Sequence, residues 1–165
     1  MEEKRNVLTE SARIVWGKIK DIKDVKAADL DAVIIPGGFG AVKNLSTFAT
    51  EGVNFKVNPE VERLLKEMLA AKKPIGSICI TPVIIAKIAG QQGMKPKLTI
   101  GTDEGTAKAI ETLGATHVPA QVTDVVVDQE YKIVTSPAYI LAKSISEVAD
   151  GIEKVVTELI ALIGK

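Results

Sequence analysis

The sequence predicts an α/β fold, a doubly wound and mostly parallel sheet with helices on both faces. Three observations carry this. A β-branched apolar run at 32–35 and a second buried run at 75–79 stop at proline, glycine or polar turns, as strands covered on both faces do. Longer stretches with apolar residues at helical spacing alternate with those runs. Aromatic residues make up only 4% of the chain, so the core must be aliphatic, as in sheets sandwiched between helices.

Within residues 2–16, Val7, Leu8, Ala12, Ile14 and Val15 cluster at helical spacing, and Gly17 is placed to end that helix. A short extended piece is expected around 18–22. Ala32-Val33-Ile34-Ile35 reads as a fully buried parallel strand cut off by Pro36-Gly37-Gly38. A polar loop follows, until Asn58 and Pro59 supply an N-cap and a first helical residue. Val61, Leu64, Leu65, Met68 and Leu69 then form one stripe up to Lys72.

Pro74 introduces the second buried strand, and Thr81-Pro82 opens a helix carrying Val83, Ile84, Ile85 and Ile88. A third strand is expected at 98–100. Gly101-Thr102-Asp103 caps a helix reaching about Leu113, where Gly114 ends it. Residues 125–127 and 132–135 read as two strands joined by the turn Asp128-Gln129-Glu130-Tyr131. A last helix, roughly 145–163, carries Val148, Ile152, Val155, Val156, Leu159 and Ile163 on its buried side. No repeat, low-complexity tract or linker interrupts the pattern, so one domain over residues 1–165 is expected.

Lysine plus arginine number 21 and aspartate plus glutamate 21, so the formal charge is zero and nothing points to nucleic acid or an anionic membrane as partner. Apolar stretches such as 83–86 fall far short of the roughly 20 residues a membrane helix needs. The charged start at 1–5 does not read as a secretory signal. A single cysteine precludes an internal disulfide and a cysteine-rich zinc site, and no other cluster of metal ligands stands out. A nucleotide loop is not expected either: Lys43 stands where the dinucleotide fingerprint needs glycine, and no Gly-Lys-Ser/Thr follows. The expectation is a soluble, cytoplasmic protein that uses no metal and no organic cofactor.

Cys79 ends a buried strand just before a helix with Pro82 in its first turn. A strand-turn-helix bend of this kind lifts its central side chain clear of the sheet. Free amides at the helix start stabilise an anion there, and the N–H of Ile80 is aimed at any oxyanion formed after attack. The same residue also fits an inert, buried cysteine. Pro36-Gly37-Gly38-Phe39-Gly40 brings backbone close to the carboxyl edge of the sheet, where ligands bind in open α/β folds, or it is a plain tight turn. His117, the one histidine, is a candidate proton carrier or else a packing residue. Asp103, Glu104, Asp124 and Asp128 sit where caps and turns would use them.

Together these segments resemble a known family. Ile34-Ile35-Pro36-Gly37-Gly38-Phe39-Gly40-Ala41-Val42-Lys43-Asn44-Leu45-Ser46 resembles the Pro-Gly-Gly segment of the ElbB family, the enhanced lycopene biosynthesis proteins. That family belongs to the class I glutamine amidotransferase-like, PfpI-type superfamily. Cys79-Ile80-Thr81-Pro82 resembles its nucleophile elbow. Residues 98–103, 114–119 and 133–139 resemble further segments, so the likeness covers essentially the whole chain.

The resemblance implies a flavodoxin-like sandwich with Cys79 as reactive thiol and the backbone N–H groups of Gly38 and Ile80 as oxyanion hole. It places His117 near the superfamily's active-site histidine. It implies cofactor-free glyoxalase activity, turning glyoxal-type dicarbonyls into hydroxy acids through a thiol hemithioacetal. Relatives in that family begin with a further strand, helix and strand carrying an acidic residue that hydrogen-bonds the thiol. No residue here matches it, Glu10 and Asp124 included, so an N-terminally shortened member is expected. Apolar sheet edge left open in this way predicts at least a homodimer. A non-catalytic redox sensor or assembly protein built on the same cysteine is the other expected function.

Overall fold

The computed structural model describes residues 5–164. Helix α1 (Val7–Ile14) starts on Asn6, whose side chain accepts a hydrogen bond from the Thr9 N–H. It ends on a Schellman turn in which Trp16 takes a left-handed φ of 58° and Gly17 follows at 80°, while the Gly17 N–H reaches the Ala12 carbonyl at 2.8 Å. The expected residues 2–4 of this helix lie outside the described chain. No residue of α1 is buried, and Ile14 and Trp16 are 80% and 95% exposed. The extended piece expected at 18–22 does not form; Asp21 accepts from the Lys23 N–H and starts a 3-10 turn, Ile22–Asp24.

Strand β1 (Val33–Ile35) is followed by two short helices, α2 (Phe39–Asn44) and α3 (Phe48–Glu51), inside the stretch read from sequence as a loop. Helix α4 (Pro59–Ala70) forms as its signals require: Asn58 accepts from the Glu60 N–H, and Val61, Leu64, Leu65, Met68 and Leu69 are all buried. Strand β2 (Ile75–Ile78), helix α5 (Pro82–Gln91), strand β3 (Lys97–Leu98), helix α6 (Glu104–Thr112) and strand β4 (Thr116–His117) follow. Strand β5 (Val126–Asp128) turns back into β6 (Ile133–Ser136), and α7 (Ile145–Ala161) closes the chain.

The main sheet has the order β1-β2-β6-β5. Val33 faces Ile75 and Ile75 faces Ile133, both in parallel register, whereas β5 runs antiparallel to β6. Every residue of β2 and β6 is buried. β1 was expected to be fully buried, but Val33 and Ile34 are only half-buried because β1 is an edge strand among the described residues. The third strand is displaced from 98–100 and pairs with β4 in a separate two-stranded sheet. Its Thr99 N–H turns to the Thr135 hydroxyl at 2.9 Å, and the Lys97 N–H meets a carboxylate oxygen of Asp128 at 2.7 Å.

Helices cover both faces. On one, Leu65, Met68, Ile84, Ile85 and Ile88 of α4 and α5 pack on Ile75 and Ile133. On the other, Val148, Val155 and Leu159 of α7 pack against Val134. Each fully buried aliphatic side chain contributes about 1.5–3 kcal/mol, so these two layers dominate the stability. The buried line of α7 is Val148, Gly151, Val155 and Leu159; Val156 and Ile163 face outward. Of the expected stripe, Val148, Val155 and Leu159 are buried and Ile152 is partly buried, and Gly151 lies so close to the Val122 carbonyl that a side chain there would stand 2.9 Å from that oxygen. No described helix is long and apolar enough to cross a membrane, and no described group of three or more His, Cys, Asp or Glu side chains could hold a metal ion.

Candidate active site

Cys79 sits immediately after β2 with a left-handed φ of 64°, a conformation that side-chain-bearing residues rarely adopt. Two sets of hydrogen bonds hold it there. Its own N–H donates to the Ser136 carbonyl at the end of β6, at 2.9 Å. Two residues on, the fully buried Thr81 hydroxyl accepts from the Ile78 N–H at 3.1 Å and lies 3.0 Å from the Ile35 carbonyl and 2.9 Å from that of Ile78. The Ser77 hydroxyl is 2.8 Å from the same oxygen. Thr81 thus fastens the ends of β1 and β2 together beneath the cysteine, and Pro82 starts α5 directly after it.

The turn after β1 meets this elbow. Gly37 packs against Cys79, where its missing side chain leaves room for the thiol. Gly38 takes a φ of 103° and starts α2 with no capping side chain. Among the described residues, neither the N–H of Gly38 nor that of Ile80 donates to a backbone acceptor. Gly38, Cys79 and Ile80 line one cavity of about 460 Å³. Its remaining walls come from Phe39 and Val42 of α2, Phe48 and Ala49 of α3, and Tyr139 and Ile140. Tyr139 is presented by a 3-10 turn, Ala138–Ile140, in which buried Ala138 has a φ of 43°.

The expected site residues are therefore only partly brought together. Cys79, Gly38 and Ile80 share the cavity; His117 is not among its lining residues. His117 lies on β4 opposite Leu98, with a buried Nε2 that has no hydrogen-bond partner. Burial lowers its pKa from the usual 6.5, against a smaller upward pull from Glu111. No aspartate or glutamate lines the cavity, so Cys79 and Tyr139 are its titratable groups. The four acids expected in caps and turns include three seen in such roles. Asp103 accepts from the Thr106 N–H, Asp124 from that of Gln121, and Asp128 from those of Lys97 and Tyr131.

Sequence reasoning passed over Thr81 as an anchor of the elbow, and over Phe39, Phe48 and Tyr139 as walls. Thr81 had a signal, its position just before Pro82. The aromatic walls had none, because they come from three separate short elements.

Comparison with known proteins agrees with this architecture. The model of the DJ-1/PfpI family matches residues 18–145. The chain is 48% identical over 172 residues to human glutamine amidotransferase-like class 1 domain-containing protein 3, mitochondrial, covering 99% of this chain and 63% of that protein. It is 31% identical over 151 residues to the ES1 protein, mitochondrial, of Danio rerio, covering 83% of this chain and 55% of that protein. The chain thus spans less than two thirds of the length of these relatives. Among solved structures, an isoprenoid biosynthesis protein with an amidotransferase-like domain from Ehrlichia chaffeensis superposes with a TM-score of 0.89 at 32% identity, covering 99% of this chain and 74% of that one. With a flavodoxin-like sheet, an elbow cysteine and a family model matched over most of its length, this chain belongs to the DJ-1/PfpI family.

Proposed function

We propose that the chain is a cysteine-dependent, cofactor-free glyoxalase-like protein of the ElbB type, acting on small dicarbonyls at Cys79. One observation carries the reading: the left-handed elbow holds Cys79 against a cavity also lined by Gly38 and Ile80, whose N–H groups donate to no backbone acceptor among the described residues. The thiolate forms a C–S bond to the aldehyde carbon while the carbonyl π pair moves to oxygen, where those two N–H groups act as the oxyanion hole. The hydrogen on that carbon leaves as a proton, giving an enediol, and a proton added at the neighbouring carbon yields a thioester. Water then adds, the C–S bond breaks, and a hydroxy acid departs.

His117 enters as proton carrier from the family resemblance. Its lowered pKa supports this role, since it keeps the imidazole neutral and able to accept a proton near neutrality. The test is glyoxal consumption by the chain and by Cys79→Ala; the reading requires turnover that the variant loses, and equal rates would sink it.

A second reading, a redox sensor without turnover, is favoured by the absence of any carboxylate or imidazole among the lining residues. Peroxide titration separates the two: a stable sulfinate at Cys79 with no dicarbonyl turnover selects the sensor. For both readings the chain is taken to associate with a second copy, as members of this family commonly do, using the open edge of β1 and the exposed face of α1. Both also need a reducing compartment to keep the thiol free. The cytoplasm meets that need, and the relatives' names point to mitochondria.

A further inference from the structure

Resting on the reading that Cys79 captures a carbonyl compound, we infer that this compound carries an uncharged, apolar substituent larger than a methyl group. The cavity beside the thiol holds about 460 Å³, within the range of sites for small organic ligands and several times what a two-carbon dialdehyde fills. Its walls decide what occupies the rest. Phe39, Val42, Phe48, Tyr139 and Ile140 present apolar or aromatic surface, and among the described residues no charged side chain lines the cavity. With the Gly38 and Ile80 N–H groups committed to the carbonyl oxygen, a carboxylate or phosphate on the substituent would find no charged partner among the described lining residues and would lose hydration. The cation near this region, Lys43, sits over the Phe39 ring at 5.2 Å from its centroid and does not line the cavity.

The rim adds a second observation. Phe39 is 75% and Tyr139 66% exposed, so both rings have surface to bury against a ligand. Capture itself needs no charge from the wall. The sulfur lone pair forms the C–S bond, the π pair goes to oxygen, and that oxygen takes a proton from water. The substituent only has to be held. Each methylene moved from water onto such a wall strengthens binding about four-fold.

The experiment alkylates Cys79 with N-methyl-, N-ethyl-, N-butyl- and N-hexylmaleimide and divides each rate by that of free 2-mercaptoethanol. The ratio is expected to climb with chain length, by about two- to four-fold per methylene. Iodoacetamide is expected to outrun iodoacetate by more than it does with the free thiol. Tyr139→Ala and Ala49→Asp, both at exposed positions, should flatten the climb. A flat or falling series in the unaltered protein overturns the inference, as does a climb that both variants leave unchanged. Turnover of glyoxal and of phenylglyoxal, which carries such a substituent, is measured on the same samples. A rising series without turnover keeps the apolar site and removes the glyoxalase reading, whereas turnover with a flat series does the reverse.

Discussion

Gly37 lies against Cys79 so closely that a β-carbon at position 37 would collide with the Cβ of the cysteine and stand 2.5 Å from the Ile78 carbonyl oxygen. Two loops, one from the end of β1 and one from the end of β2, are thereby locked at their point of contact. Glycine is needed here for space. At Gly38, with its φ of 103°, it is needed for backbone conformation.

Gly37→Ala is expected to cost about 1–3 kcal/mol, the usual penalty of overpacking, and to slow alkylation of Cys79. Urea unfolding and thiol titration measure the two effects. Wild-type stability would show that the loops part without strain.

Thr81→Val removes the hydroxyl that links β1, β2 and the elbow, leaving buried backbone groups unsatisfied at a cost of about 1–3 kcal/mol. Thr81→Ser keeps the oxygen and should recover most of that loss along with thiol reactivity. If valine and serine behave alike, the hydroxyl is not what holds the elbow.

At Cys79 stability and reactivity should part company. A left-handed residue with a β-carbon costs about 1–2 kcal/mol, so Cys79→Gly should be the more stable of two inert variants, exceeding Cys79→Ala by about 1 kcal/mol. Thermal melts of the pair provide the comparison, and an alanine variant at least as stable as glycine refutes the strain.

His117 makes stability depend on pH. Burial holds its folded-state pKa below 6.5, so the unfolded chain binds the proton more readily. The resulting stability is complete above about 6.5 and is lost as the pH falls from there through the lower folded-state value. In His117→Gln that segment of the stability curve should be flatter; denaturant midpoints across this window would expose an unchanged slope.

Light scattering at micromolar concentration should give a mass above the 17.6 kDa of one chain. Ile14→Lys with Trp16→Lys places charge on the most exposed part of the apolar face and should lower that mass. A monomer that melts cooperatively counts against self-association.

Much of this was legible in the sequence because some segments carry their own punctuation. Asn58-Pro59 and the stripe from Val61 to Leu69 specify α4 without outside help, the β-branched run at 33–35 announces β1, and Pro74 marks the start of β2. Helices α2 and α3 were hidden because six and four residues are too few to show a period, and neither has a side-chain cap. β4 is two residues long. On α7, the stripe of large apolar residues leaves out Gly151, where the helix comes close to the Val122 carbonyl. In the site, Cys79 and the Pro36-Gly37-Gly38 turn were visible as local patterns. The cavity walls were not, since Phe39, Phe48 and Tyr139 meet only through tertiary structure.

The β3–β4 pair joins the main sheet through the side chains of Asp128 and Thr135, with no strand ladder between the two sheets among the described residues. A ladder ties backbones together over many equivalent bonds, whereas here two side-chain bolts and the shared packing of Leu98 and Ile100 with Ile75 and Ile133 make the junction. The molecule is therefore built with a seam. Amide exchange should divide along it, with Lys97 and Thr99 losing protection together when either bolt is cut and Ile75 to Ile78 unaffected. His117 on β4 and Cys79 after β2 thus stand on opposite sides of that seam.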